Sequence, residues 1–136
     1  MANPAEPSSW GYCRLLSVKV DGKVVGGAPG EDETVYWVSL PRAVAPGETI
    51  QVEIAWQSRF PKVFARSGHA GNFLMAGQWF PKVGVYQGAS WNCHAYHAFT
   101  EFFSDFGTYD VTLAVPNSLL VAATGTAVET RGADGQ

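Results

Sequence analysis

The sequence contains no apolar run of membrane-spanning length and no run of basic residues. A transmembrane helix needs about 20 consecutive apolar residues, so we expect no membrane segment in this chain. A formal net charge of −3 without a basic patch also makes nucleic acid an unexpected partner. The N-terminus lacks the basic and apolar regions of a signal peptide, and the sequence leaves the compartment open.

Helical periodicity is missing as well. Short alternating apolar stretches are instead separated by turns, which draw on 15 glycines and eight prolines. This pattern predicts an all-β fold with little or no helix, a mostly antiparallel β-sandwich or a barrel. We expect a flexible tail over residues 1–12, a single domain over 13–130 and a flexible end over 131–136.

Two segments give the clearest strand patterns. Residues 49–57 are predicted to bury one face that carries four apolar side chains: Ile50, Val52, Ile54 and Trp56. Earlier in the chain, Leu16, Val18 and Val20 are predicted to share a face, and Asp21-Gly22 is predicted to follow as a hairpin turn.

Other segments give weaker patterns. Alternation predicts strands over residues 34–40, 108–115 and 119–124, with Pro116-Asn117 as the turn between the last two. Residues 58–76 lose this order and are predicted to form an exposed, irregular excursion.

Cysteine is scarce, because only Cys13 and Cys93 are present. Two isolated cysteines do not make a disulfide framework. They either form one bridge in an oxidising compartment or remain free, and we predict two buried free thiols.

The most unusual stretch is residues 78–86, which read Gln-Trp-Phe-Pro-Lys-Val-Gly-Val-Tyr. Pro81 lacks an amide hydrogen and fixes its own φ, so we expect a bend or a sheet edge at that point. On such a bend, Gln78 beside Trp79 forms either a contact surface or the corner of a sandwich.

We predict no catalytic residue, no metal ligand and no cofactor in this chain. Cys93, His94 and His97 are three potential ligands within five residues, but a structural zinc site normally has four. Ser104, His97 and Asp105 include the residue types of a nucleophilic triad. Adjacent strand residues point to opposite faces, however, and no nucleophile elbow surrounds Ser104.

Acidic residues are expected to have structural roles. Glu31, Asp32 and Glu33 are predicted to form a solvated run in a glycine-rich loop. Glu101 and Asp105 flank aromatic residues and are predicted to have structural rather than catalytic roles. Aromatic side chains outside the strands offer one functional alternative, since their faces can stack on sugar rings. These residues are Trp10, Trp79, Tyr86, Trp91 and Tyr96.

Five segments, taken in order, carry a resemblance. They are Pro-Gly-Glu at 46–48, a strand ending in Trp at 49–56, Gly-Gln-Trp-Phe-Pro at 77–81, Glu-Phe-Phe-Ser-Asp-Phe-Gly-Thr-Tyr-Asp-Val-Thr-Leu-Ala-Val-Pro at 101–116, and Val-Ala-Ala-Thr-Gly at 121–125. Together they resemble the N-terminal domain of the aminopeptidase N family of zinc metallopeptidases, in particular its bacterial members. The resemblance covers roughly residues 13–130, and its most specific part is Phe-Gly-Thr-Tyr-Asp-Val-Thr at 106–112.

The resemblance implies a β-rich saddle that lies over a catalytic domain, with one hairpin lining the substrate cleft. Gln78 matches the glutamine of that hairpin and would contact the N-terminal residue of the peptide substrate. Trp79 and Phe80 would shape the pocket or pack the hairpin. Phe80 stands where many family members have Glu or Gln, which implies a more apolar cleft wall.

The chain contains neither the zinc-binding HExxH motif nor the GxMEN loop of this family. The resemblance therefore implies a fragment that is inactive alone. Its partners would be the catalytic domain of the same polypeptide, which would bind the zinc, and the peptide substrate. The alternative is a stand-alone β-sandwich module for carbohydrate or protein adhesion.

Overall fold

A computed structural model describes residues 10–62, 66–94, 99, 101 and 103–128. These residues contain strands and turns but no helix, which confirms the predicted all-β class. The chain falls into two compact units, Met1–Phe106 and Gly107–Gln136. No helix that could span a bilayer is found in the described ranges.

The first unit holds the strands of the described chain. In order these are β1 (Tyr12–Val20), β2 (Lys23–Val24), β3 (Gly27–Pro29), β4 (Tyr36–Val38), β5 (Val52–Arg59), β6 (Ser67–Ala70), β7 (Phe73–Ala76), β8 (Val85–Gln87) and β9 (Ser90–Asn92). One sheet has three strands in the order β2-β1-β5, and the others are two-stranded: β3-β4, β6-β7 and β8-β9. Each ladder is antiparallel. The stacking of sheets into a sandwich stays a prediction.

The β1–β5 pair is the longest ladder. It confirms the predicted alternation of faces on β5, but the burial predicted for Val52 is wrong, because Val52 is 39% exposed. Val18 lies opposite Ile54 and Val20 opposite Val52. Val18 and Val20 are buried and Ile54 is half-buried, while Glu53 on the other face is exposed. β5 begins at Val52, later than the alternation had indicated.

The prediction that Leu16 shares a face with Val18 and Val20 is wrong. Leu15 pairs with Trp56 and Ser17 with Ala55, so Leu16 is an extra residue at a β-bulge. A bulge breaks the period-two alternation, and the apolar face therefore continues through Leu15. Leu16 itself is 62% exposed.

Turn residues behave as the sequence predicts. Asp21 and Gly22 have φ values of 49° and 76°, the left-handed pair that a two-residue type I′ hairpin needs between β1 and β2. Pro46-Gly47 forms a turn in which the Glu48 amide donates to the Ala45 carbonyl at 3.0 Å.

The prediction of an irregular excursion over 58–76 is wrong at both ends, because Ser58 and Arg59 belong to β5 and residues 67–76 form the β6-β7 hairpin. Gly68 and His69 weakened the apolar alternation in the sequence, yet their backbone pairs with Met75 and Leu74. Likewise the strand predicted over 34–40 is shortened to β4. Residues 63–65 lie outside the described residues.

The second unit has a turn but no strand in its described residues, 107–128. The Leu119 amide donates to the Pro116 carbonyl at 2.9 Å, which confirms the predicted turn. The strands predicted over 108–115 and 119–124 are absent there, and their apolar side chains are exposed. Alternation supplies strand propensity, but a strand also needs a hydrogen-bonded neighbour.

Apolar burial is slight in the described chain. Its buried hydrophobic residues are Val18, Val20 and Val85. Cys13 and Cys93 are free thiols, but Cys13 is exposed and Cys93 half-buried, so the predicted burial is wrong for Cys13. Cys13 sits opposite Ser58 near the end of the ladder, where the sheet has little cover.

Candidate functional site

The candidate site is the turn that follows β7, and Gly77 forms its base. The Gly77 amide donates to the Arg66 carbonyl at 3.1 Å and to Ser67 Oγ at 3.0 Å. Ser67 Oγ in turn donates to the Gly77 carbonyl at 2.6 Å. A Cβ on Gly77 would lie 2.6 Å from the Arg66 oxygen, so only glycine fits this close backbone approach.

Gln78 comes next and has a left-handed backbone, with φ at 49°. This conformation is uncommon for a residue other than glycine and costs about 1 kcal/mol. Its side chain is exposed and makes no hydrogen bond to another described residue. The turn therefore presents a free amide from a backbone that is held in place on its N-terminal side.

Trp79, in contrast to the exposed Gln78, packs onto the three-stranded sheet. Its ring centroid lies 6.0 Å from that of Trp56 on β5, with the planes at 46°. The Ser58 hydroxyl donates to the Trp79 carbonyl at 3.3 Å. The turn is thus attached to β5 by a ring contact and a hydrogen bond.

Phe80 completes this aromatic cluster, which consists of Trp56, Trp79 and Phe80. Its ring meets that of Trp79 edge-on, with centroids 5.7 Å apart and planes at 88°. All three side chains are half-buried. An open depression of about 380 Å³ adjoins the cluster and is lined by Ala55, Trp56, Ser58, Phe60 and Trp79.

Two polar contacts join this region to the segment that precedes the second unit. Arg66 forms a two-pronged ion pair with Glu101, at 2.5 Å and 2.6 Å, and the hydrogen bond from Arg66 holds the pKa of Glu101 below its usual value. Lys82 Nζ donates to Ser104 Oγ at 3.3 Å. The structural role predicted for Glu101 stays a prediction.

The structure brings together two of the three predicted site residues. Trp79 and Phe80 pack on each other, whereas the Gln78 side chain is exposed to solvent. Sequence reasoning missed Ser67, whose hydroxyl holds Gly77, and it missed the contact of Trp56 with Trp79. The inward face predicted for Trp56 was the available signal, but no pattern indicated which residue would cover it.

The predicted metal and triad candidates lie partly outside the described residues, because His97 is one of the residues not described. Within the described residues, no three His, Cys, Asp or Glu side chains are grouped closely enough to hold a metal ion. In the acidic loop, Asp32 is only partly solvated. Its Oδ1 accepts from the amide and the hydroxyl of Thr34, both at 2.9 Å.

A second aromatic pair lies on the β8-β9 hairpin. Tyr86 and Trp91 are directly opposite each other, with ring centroids 5.2 Å apart and planes at 71°. Their exposures are 60% and 45%, so both rings remain accessible. On the other face, Val85 is buried and Asn92 is half-buried.

Comparison with known proteins gives no relative: no family model, no curated protein and no solved structure matches this chain.

Proposed function

We propose that this chain is a non-catalytic β module of a larger zinc metallopeptidase of the aminopeptidase N type. In this proposal the turn at Gln78 forms one wall of the substrate cleft. The zinc and the catalytic motifs belong to another domain of the same polypeptide. The observation that carries the proposal is the geometry of Gln78, an exposed amide on a strained and well-supported backbone.

The environment of Gln78 suits a positioning role. Strained backbone conformations persist where the surrounding structure enforces them, and they concentrate at binding sites. Here Ser67 and Arg66 hold the preceding residue, and Ser58 and Trp56 hold the following one. The amide oxygen of Gln78 can accept a hydrogen bond from a substrate ammonium group. Because the neighbouring residues of the turn are already held in place, this contact does not require them to become ordered.

Phe80 limits what the wall can do. Its ring rests edge-on against Trp79 and is half-buried, so it offers apolar contact and no hydrogen bond to a substrate amine. In the proposed cleft, Gln78 alone therefore contacts the amine from this wall.

Exposed apolar side chains support a docking role for the module. Folded monomers seldom leave large apolar areas in contact with water. In the described chain they include Leu74 and Met75 on β7, Trp37 on β4, and Val83 in the stretch before β8. A catalytic domain that packs on these residues would remove them from water.

The gene that encodes the chain provides the first test. The proposal expects an HExxH motif with a downstream glutamate in the same reading frame, beyond residue 136. A stop codon shortly after residue 136 would end the metallopeptidase proposal.

Kinetics of the whole polypeptide provide the second test. Gln78→Ala is expected to lower kcat/KM for aminoacyl substrates by about 10- to 100-fold, because a hydrogen bond to a charged group is lost. Gln57→Ala is the matched control, since Gln57 is an exposed glutamine on the outer face of β5. Equal kinetics for Gln78→Ala and Gln57→Ala would remove Gln78 from the site.

A second candidate function, carbohydrate binding, is favoured by the exposed pair of Tyr86 and Trp91. Aromatic rings on a rigid hairpin can stack on sugar faces. The pair suits this role better than Trp79 does, because the Trp79 ring already packs against Trp56 and Phe80. Retention on a polysaccharide column that Trp91→Ala abolishes and Trp79→Phe preserves would favour this alternative over the metallopeptidase.

A further inference from the structure

β5 is an edge strand of the sheet that the described residues form. It lies at the end of the order β2-β1-β5 and runs for eight residues. No backbone hydrogen bond between described residues uses the groups of Val52–Ser58 that face away from β1. An open edge of this length is a template for pairing with another strand.

The depression beside the aromatic cluster borders the middle of β5. Ala55 and Trp56 both line it, although neighbouring strand residues project to opposite faces of a sheet. Trp79 and Phe60 form its remaining apolar walls.

The charges on β5 are arranged symmetrically about Trp56. Glu53 precedes it by three residues and Arg59 follows it by three. We propose that the partner of this edge is a second copy of the chain. The two β5 strands pair antiparallel, with the two Trp56 residues facing each other across a two-fold axis.

The faces of β5 restrict the register of this pairing. Val52, Ile54, Trp56 and Ser58 share the more buried face, and Glu53, Ala55, Gln57 and Arg59 share the exposed one. Residues that lie opposite each other must belong to the same face. An axis at Ala55 or at Trp56 satisfies this condition with the longest overlap. Only the axis at Trp56 places Glu53 opposite Arg59 of the second copy.

The pairing is self-complementary in packing as well as in charge. Ile54 of each copy faces Ser58 of the other, so Ile54 and Trp56 of one copy border the depression of its partner. An isologous interface repeats every contact twice. The result is a six-stranded sheet with the order β2-β1-β5-β5-β1-β2, in which Ile54 and Trp56 of both copies lie on the same face near the centre.

Sedimentation and light scattering at increasing protein concentration test this proposal, with reductant present so that a Cys13 disulfide cannot contribute. The wild-type chain is expected to form dimers. Arg59→Glu places two like charges opposite each other at both ends of the interface and is expected to raise the dimer dissociation constant about tenfold or more. Glu53→Arg is expected to act in the same direction.

The double variant Glu53→Arg with Arg59→Glu restores opposite charges and is expected to recover dimerisation. Lys23→Glu on β2 is the control, because it changes charge by the same amount on another strand. Glu53 also pairs with Lys19 at 3.3 Å, so circular dichroism melts accompany each variant and identify any loss of folding. A monomeric wild-type chain, or dimers that Arg59→Glu leaves unchanged, would overturn the proposal.

Discussion

The hydroxyl of Ser67 bonds both polar groups of the Gly77 backbone, donating to its carbonyl at 2.6 Å and accepting from its amide at 3.0 Å. One side chain on β6 thereby closes the open end of the β6-β7 hairpin. The left-handed turn at Gln78 begins from this closed end. The position of the candidate site thus depends on a residue that does not belong to it.

Ser67→Ala removes both of these hydrogen bonds and leaves the half-buried Gly77 carbonyl without its hydroxyl donor. We expect a loss of about 1–2 kcal/mol in the free energy of unfolding, measured by urea denaturation. Ser90→Ala is the control, because the exposed Ser90 makes only a longer bond of 3.3 Å to the Gln87 carbonyl. A Ser67 variant no less stable than the Ser90 variant would contradict the role of Ser67.

Gly77→Ala tests the close approach of two backbones. The new Cβ would lie 2.6 Å from the Arg66 oxygen, and a backbone oxygen cannot move without shifting the ladder. We expect destabilisation of about 1–3 kcal/mol. Gly26→Ala provides the comparison, since a Cβ there meets nothing within 4 Å. It should be neutral or slightly stabilising, because alanine has less freedom than glycine in the unfolded chain.

Gln78→Gly tests whether the side chain of Gln78 stabilises the fold. Glycine adopts a φ of 49° without steric cost, so the variant should equal or exceed the wild type in stability by up to about 1 kcal/mol. Ala89→Gly, at a φ of 69° in the β8-β9 turn, should behave similarly. Thermal unfolding compares the two. A clear loss of stability in the Gln78 variant alone would mean that its side chain holds the fold.

Glu48 is expected to make folding depend on pH. Hydrogen bonds from Arg42 and from the Ala45 amide lower the pKa of Glu48 in the folded chain. A carboxyl whose folded pKa is depressed adds stability above its unfolded pKa, and this contribution disappears as pH falls through the folded pKa.

Comparison of the wild type with Glu48→Gln at neutral and acidic pH measures this effect. The stability difference between the two should be largest at neutral pH and should shrink in acid. Arg42→Gln removes the main cause of the shift, and in that background Glu48→Gln should have a smaller effect. A difference that does not change with pH would contradict the assignment.

Local sequence signals predicted the parts of this fold that depend on nearby residues. The dipeptide Asp21-Gly22 predicted its turn, and the alternation over residues 49–57 predicted a strand with one exposed face, which the structure has over Val52–Arg59. Leu16 could not be placed, because a bulge is defined by the partner strand and not by the bulged residue. The β6-β7 hairpin was missed because Gly68 and His69 hide its alternation.

The sequence predicted where the candidate site lies better than it predicted how the side chains of the site are arranged. Pro81 and its aromatic neighbours indicated a bend, and the structure has a bend there. Gln78 is exposed and the adjacent Trp79 is packed. This difference depends on the left-handed φ of Gln78 and on the contact of Trp79 with Trp56, which lies more than twenty residues earlier in the chain. Such long-range contacts leave no periodic trace in the sequence.

The bulge at Leu16 also has a consequence for how this chain can change in length. Leu15 opposite Trp56 and Ser17 opposite Ala55 would become consecutive pairs of a regular ladder if Leu16 were deleted. Every other pair would keep its partner and its face, so Leu16 is an insertion that the sheet has absorbed. A single residue can thus be gained or lost at this position of β1 without a change of face. At other positions of β1 the same change would move every following side chain to the opposite face of the sheet.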